Sequence, residues 1–281
     1  MLEHETKIAL VTGASSGFGL LTSVALAQQG YRVIAAMRNP DNRGPLLEQA
    51  GQAGVADRLE VARMDVTDHG TVHAVVADAI RKHGRIDALI NNAGYAAGGF
   101  VEDVPMEAWR AQMETNVFGL IAVTRAVLPH MRKQGFGTIV NVSSVSGLMA
   151  FPGYAPYSAS KFAVEGFSEA LRLEMKPFGI RVVLIEPGAY RTDIWRKGFD
   201  AIHVSEASPY RGLLDKVLAY SRKTSETAPD PSEIARRIVK IVRSPKSRFR
   251  TMSGQGVRLA VWGRTLLPWS WYEAIIMRFL K

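Results

Sequence analysis

Tyr157 and Lys161 stand four residues apart in Tyr157-Ser158-Ala159-Ser160-Lys161, and Ser144 precedes the tyrosine by thirteen residues. A helix over about residues 155–177 puts the phenol and the ammonium on one face, since side chains at i and i+4 are neighbours. A phenol with a reference pKa of about 10 exchanges protons poorly near neutrality. A cation held a few ångströms away favours the phenolate, and a shift of about three units corresponds to about 4 kcal/mol of differential interaction. A tyrosine so placed can move a proton to or from an alcohol oxygen. The bare Tyr-x3-Lys spacing is common by chance, so the rest of the chain decides its meaning.

With 281 residues, 47% of them hydrophobic and 22% charged, the chain has the size and balance of one large soluble globular domain. It has no cysteine. Disulfides, thiolate metal sites and cysteine nucleophiles are therefore excluded, and a reducing cytoplasm suits the chain. The acidic start Met1-Leu2-Glu3-His4-Glu5 leads straight into a strand-like segment, so no signal peptide is expected. No run of about twenty apolar residues could span a bilayer. The net charge of +9 is uneven: Tyr190 onward holds 18 basic against 8 acidic residues, the first 189 positions 17 against 18. This excess suits an anionic substrate, an acidic carrier, a membrane surface or simply a solvated basic face. No nucleic-acid-binding module accompanies it.

Apolar strand-like runs at 7–12, 31–37, 59–64, 86–91, 137–142 and 180–186 alternate with helical patterns at 18–29, 71–83, 107–134 and the Tyr/Lys segment. Strands apolar on both faces, separated by helices, predict an α/β fold with a doubly wound parallel sheet. No linker or repeat divides it, so one domain over 1–281 is expected. After Pro187 the alternation breaks. Residues 199–225 read as a loop and a short helix pair, 230–242 as a helix, 248–252 as a last strand, and the remainder as helix.

Thr12-Gly13-Ala14-Ser15-Ser16-Gly17-Phe18-Gly19 joins the first strand to the first helix. Glycines there allow a tight turn and close approach to phosphate oxygens, whose charge a helix N-terminus favours. The spacing Gly-x3-Gly-x-Gly resembles the cofactor turn of the short-chain dehydrogenase/reductase family. Further motifs of that family follow in order: Asn91-Asn92-Ala93-Gly94, Asn116-Val117-Phe118-Gly119, Asn141-Val142-Ser143-Ser144, the Tyr/Lys pair, Pro187-Gly188 and Thr192. Together they span about residues 6–195 and are far more specific than any one alone.

The resemblance implies a Rossmann-like sheet of about seven strands, with a cofactor-binding and catalytic core over about 6–195. A substrate lid over about 196–228 and a helical extension over about 255–281 would follow it. It implies a nicotinamide cofactor contacted by Gly13, Ser15, Ser16, Gly17, Phe18, Gly19, Asn91, Ala93, Gly94, Tyr157, Lys161, Pro187, Gly188, Tyr190 and Thr192. It makes Tyr157 the general acid or base, and Ser144 the donor that steadies the substrate oxygen. Lys161 would bind the ribose and depress the tyrosine pKa. Asn116 would interrupt its helix and hold a water linking Lys161 to solvent. Hydride passes directly, so no metal is implied.

Met37, at the end of the second strand, occupies the usual acidic position, and Arg38 follows it. An acid there would pair with a ribose hydroxyl, whereas a guanidinium accommodates a 2′-phosphate. NADP(H) is therefore expected, with help from Arg43, although Ser16 stands where a second basic contact is common. Asp65 and Val66 resemble the family's adenine-contacting pair. Tyr190 departs from the usual valine, and its ring must pack near the substrate mouth.

Tyr210, Leu213, Leu214, Val217, Leu218 and Tyr220, with Met149, Phe151 and Tyr154, predict an apolar substrate pocket. The segments 147–152 and 162–166 resemble the hydroxysteroid and retinol dehydrogenase branch. An apolar ketone or aldehyde and its alcohol are thus the expected substrates. A 3-oxoacyl-thioester reductase is the alternative, and a non-catalytic NADP(H)-sensing module a remote one. The tail from Arg258 to Lys281 carries Leu259, Trp262, Leu266, Leu267, Trp269, Trp271, Tyr272, Ile275, Ile276 and Phe279 beside basic residues. Packing over the substrate site or at a subunit interface is expected ahead of membrane contact. The resemblance also implies a homodimer or homotetramer.

Overall fold

The first strand decides which helices cover which face of the sheet. In β1 (Ile8–Thr12), Ala9 and Val11 turn to one side while Ile8 and Leu10 turn to the other, and all are buried. A strand apolar on both sides needs helices on both sides. The computed structural model describes residues 6–192, 198–199, 202–205 and 207–279. The acidic start at 1–5 lies outside the described residues, as do positions 196, 197, 200, 201 and 206 of the expected lid.

β1 joins β2 (Arg32–Met37), β3 (Leu59–Arg63), β4 (Ala88–Asn91), a sixth strand β6 (Gly137–Val142), β7 (Ile180–Pro187) and β9 (Arg250–Ser253) in one parallel sheet. Its order is β3-β2-β1-β4-β6-β7-β9. The two-residue strands β5 (Gly98–Gly99) and β8 (Ile202–His203) pair separately. On the Val11 face, α1 (Gly17–Gln28) and α2 (Gly44–Gln52) supply Leu20, Val24 and Leu46. On the Leu10 face, α3 (His69–His83) supplies Val72 and Val76. Each such buried side chain contributes about 1.5–3 kcal/mol. The expected single-domain, seven-stranded Rossmann-like architecture is present.

The chain builds outward from β1 to β3, then returns to the other side of β1 to make β4. Loops leaving β1 and β4 diverge, opening a crevice at their carboxyl ends, where ligands of such sheets bind. The long expected helix at 107–134 is α4 (Met106–Met113), a π turn at Glu114–Gly119 and α5 (Leu120–Gln134). The local interruption expected around Asn116 is therefore real. α6 (Ala155–Met175) carries Tyr157 and Lys161 on its first two turns.

Two readings change. Helix α2 was not expected; its buried set, Leu46 and Ala50, is too sparse to make a visible stripe. Where a loop and a short helix pair were expected over 199–225, the described residues hold helical backbone at 198–199 and a longer helix of seventeen residues, α7 (Arg211–Thr227). Leu214 and Val217 keep one buried face along α7. Then follow α8 (Ser232–Arg243), which completes the Val11 face through Ile234 and Ile238, β9, α9 (Val257–Leu266) and α10 (Trp269–Phe279). Along α9 and α10, Leu259, Trp262, Leu266, Trp269 and Trp271 are exposed.

Candidate active site

The turn after β1 is stitched to the turn after β4. Asn92 Nδ2 donates to the carbonyls of Thr12 at 2.9 Å and Gly13 at 3.1 Å. Thr12 Oγ1 accepts from the backbone amides of Asn92 and Ala93, each at 3.0 Å. Gly13 has φ 67°, which an L side chain resists. A Cβ on Gly19 would stand 2.3 Å from the Gly13 carbonyl oxygen, so only glycine lets α1 approach this turn. Helix α1 begins with no side-chain cap and no acidic residue in its first turn. Its first amides are thus available to an anion. Ser15, Ser16, Phe18, Gly94, Tyr95, Lys161 and Thr192 complete a cavity around this turn. Glycine cradle, uncapped amides and cavity fit the pyrophosphate and nicotinamide half of a dinucleotide.

Tyr157 stands in the wall of this cavity and also in that of a second, larger apolar one. Ser144 lines only the second. Its Oγ accepts from the Ser146 amide at 3.1 Å and lies 3.5 Å from the Pro187 carbonyl, so the hydroxyl is held by the turn that starts there. Lys161 is buried, with Nζ donating to the Val142 carbonyl at 2.9 Å and lying 5.7 Å from the centre of the Tyr157 ring. Burial lowers the Lys161 pKa to about 8, opposed by the Glu165 carboxylate. Burial raises the Tyr157 pKa, opposed by the Ser144 hydroxyl. The expected lowering of the phenol by Lys161 is therefore not produced by the chain alone. The ammonium faces the ring and is partly engaged by Val142, while the phenol loses its solvation.

Asn116, in the π turn, accepts from the Tyr95 amide at 3.1 Å and donates to the Tyr95 carbonyl at 3.0 Å and to Ser160 Oγ at 3.1 Å. Ser160 in turn donates to the Tyr157 carbonyl at 2.7 Å. Asn116 thus ties the cavity wall at Tyr95 to α6, and its side-chain amide is spent on that task.

Other expected contacts fall in different places. Asn91 points away from the cavity into a buried network, donating to Thr124 Oγ1 and Asn141 Oδ1, both at 2.9 Å. Its neighbour Asn92 faces the cavity instead, because adjacent strand residues alternate sides. Asp65 accepts from the amide and hydroxyl of Thr67 at 3.0 and 2.8 Å and so caps its own turn. Val66 is buried against Gly119. Arg38 is exposed beyond β2, close enough for its charge to lower the Tyr95 phenol while burial raises it more. Ala93, Gly94 and Thr192 line the cofactor-side cavity, and Pro187 and Gly188 the apolar one. Thr12 and Asn92 stand inside motifs but had no role assigned, and Gln112, which holds Tyr95 and Ala97, escaped the sequence reading. Its only signal is its place four residues before Asn116.

Tyr190 has a defined role. Its ring meets Phe18 edge-on at 5.7 Å, and its hydroxyl bonds Glu233 at 3.0 Å and Ser253 at 2.7 Å. It ties the loop after β7 to α8 and β9. Tyr190→Phe should lower stability by about 1–3 kcal/mol, because Ser253 loses a buried partner. Thermal melting checks this, and an unchanged midpoint would remove the role.

The apolar cavity takes Met149, Phe151, Tyr154 and Tyr220 as expected, with Ser221, Thr224 and Phe199 added. Phe151 and Tyr220 stack at 5.4 Å, and Tyr154 donates to Ser221 at 3.1 Å, which ties α7 over the opening. Tyr210 instead stacks on Phe100 at 5.0 Å and donates to Glu102. Among the described residues, none of α9 or α10 lines either cavity.

The short chain dehydrogenase family model matches residues 7–202. An uncharacterized oxidoreductase, YusZ, of Bacillus subtilis (strain 168) is 46% identical over 98% of both chains. A 3-ketodihydrosphingosine reductase of Bacteroides thetaiotaomicron is 39% identical, over 91% of this chain and 90% of its own. The crystal structure of a short-chain dehydrogenase from Streptomyces avermitilis superposes with a TM-score of 0.82 at 34% identity, covering 99% of this chain and 97% of that one. Glycine cradle, twin cavities and the Ser144/Tyr157/Lys161 grouping stand within a match of that breadth, and the chain is a member of the short-chain dehydrogenase/reductase family of oxidoreductases.

Proposed function

We propose that the chain is an NADP(H)-dependent oxidoreductase that interconverts an apolar ketone or aldehyde and its alcohol. The observation that carries this reading is that Tyr157 belongs to the walls of both cavities, one glycine-lined and one apolar. A carbonyl carbon in the apolar cavity then meets the cofactor at that shared wall. The nicotinamide, when bound, supplies or accepts the hydride. Ser144 donates to the substrate oxygen and orients it. Tyr157 gives its proton to that oxygen in reduction and removes it in oxidation. Lys161 holds the ribose and places a positive charge beside the phenol, while Asn116 keeps α6 aligned against Tyr95.

NADP(H) over NAD(H) rests on Arg38, with Arg43 nearby, and on the absence of an acid at Met37. Arg38→Ala is expected to raise the NADPH KM about 10–100-fold and leave that for NADH nearly constant, since a charge-assisted phosphate pair is worth about 1.5–3 kcal/mol. Steady-state kinetics with both cofactors check it; equal losses would oppose the assignment.

The cavity walls favour a steroid- or retinoid-like substrate, and similarity to a 3-ketodihydrosphingosine reductase adds long-chain ketones. Monitoring NADPH oxidation across steroid ketones, long-chain ketones, aldehydes and 3-oxoacyl thioesters separates these, with thioester preference opposing the first reading. We further propose a cytoplasmic homodimer or homotetramer. The exposed tryptophans of α9 and α10 support burial between copies, and no described helix is long and apolar enough to cross a membrane.

A further inference from the structure

Behind Lys161 lies a charged cluster that the proposed reaction does not use. Glu165 follows Lys161 by one turn of α6, and both are buried. Glu186 on β7, directly before Pro187, is 0% exposed. Arg250 on β9 reaches all of them: it pairs with Glu165, with Glu186 at 2.9 Å and with Glu169, largely exposed, at 3.1 Å. One oxygen of Glu165 and one of Glu186 receive no N–H donor among the described residues. Two buried carboxyls against one shared guanidinium cannot both ionise cheaply, so one proton resides on the pair.

Burial raises both carboxyls, and the Glu165 charge helps push Glu186 up to about 7. The Ser143 hydroxyl favours the ionised form of Glu165. Glu165 is thus the member that more readily carries the negative charge, and it is the one whose charge acts on Lys161. Facing this group from each element are Lys161, Glu165 and Glu169 of α6, Glu186 of β7, Arg250 of β9, and Ser143 after β6.

We propose that Glu165 is a positioning residue that holds Lys161 in its ammonium form, and that Glu186 and Arg250 keep Glu165 ionised and in place for that task. The proposal rests on the reading of Lys161 given above. The sign follows from burial. Desolvation draws the lysine towards a neutral amine as pH rises through about 8, and the Glu165 charge resists this. Glu186 keeps its proton up to about pH 7 and in that form donates to Glu165, which favours the Glu165 charge.

The test measures NADPH dissociation constants by fluorescence between pH 6 and 9.5, with the pH profile of kcat/KM on the best carbonyl from the screen. Glu165→Gln is expected to move the alkaline limb of both down by about one pH unit, weakening NADPH binding about fivefold at pH 8. Glu165→Asp should restore most of the shift, which a purely structural role would not. Glu186→Leu, which removes the donor to Glu165, should give a smaller shift in the same direction. Profiles of Glu165→Gln that superimpose on the parent overturn the proposal. Should that variant not fold, superimposable parent and Glu186→Leu profiles overturn it equally. Tyr157→Phe is measured alongside: turnover there would overturn the catalytic reading, whereas an inactive Tyr157→Phe with an unshifted Glu165→Gln overturns this inference alone.

Discussion

Tyr157→Phe is expected to lower kcat about 10²–10⁴-fold, the range of a lost general acid or base, while NADPH affinity changes only a few-fold. The substitution removes one oxygen and leaves the ring, which still separates the two cavities and faces Lys161. No other side chain at the shared wall can exchange the proton: Ser143 is a simple hydroxyl, and the remaining shared residues include Phe18, Ala96 and Thr192. A loss mainly in kcat identifies an interaction made in the transition state, whereas a loss mainly in KM identifies ground-state binding. NADPH consumption and a fluorescence titration of the same sample separate the two. Activity within tenfold of the parent would rule out Tyr157 as the proton donor. The effect should grow with pH in the reduction direction, because burial holds the phenol protonated in the parent chain and keeps a donor available there.

Gly19→Ala should abolish tight cofactor binding through the scaffold rather than the chemistry. The new methyl would lie 2.3 Å from the Gly13 carbonyl oxygen and 2.4 Å from Asn92 Nδ2. The first is backbone and cannot rotate away; the second is the amide that holds the two turns together. Relief requires α1 to move off the turn, and overpacking of this kind costs about 1–3 kcal/mol. Since the same movement displaces the amides facing the anion, NADPH affinity should fall at least tenfold, equivalent to about 1.4 kcal/mol. Gly51→Ala in α2 is the control, with no heavy atom within 4 Å of the added methyl and a gain of roughly 0.5–1 kcal/mol from helix propensity. Thermal melts and NADPH titrations of both variants decide the matter. Equal affinities would show that the close approach at Gly19 is dispensable.

The parts of the site legible in the sequence are those bound to local geometry. Tyr157 and Lys161 share a face because helical spacing demands it, and Gly13, Gly17 and Gly19 announce a turn that no other residue fits. The break at Asn116 follows from a motif, and the structure realises it as a π turn. Asn91 and Asn92 stand side by side in one motif, and only strand register decides that the side chain of Asn92 faces the crevice while that of Asn91 is buried. Tyr190 stood out only as a departure, since its partners Glu233 and Ser253 lie 43 and 63 residues away. The full length of α7 was not legible because its polar face outweighs the pair of buried anchors, Leu214 and Val217.

By itself the sequence determined the alternating architecture, the family and the shared face of Tyr157 and Lys161, because hydrophobic period, turn chemistry and i,i+4 spacing act over a few residues. Only the tertiary structure decided that Tyr157 divides two cavities, that burial opposes its ionisation, and that α9 and α10 cover neither cavity. Only folding brings Arg250 to Glu165 and Glu186, across 85 and 64 residues. The physical reason is common to all of these. Desolvation and charge pairing depend on what lies across the sheet, and no spacing along the chain encodes that.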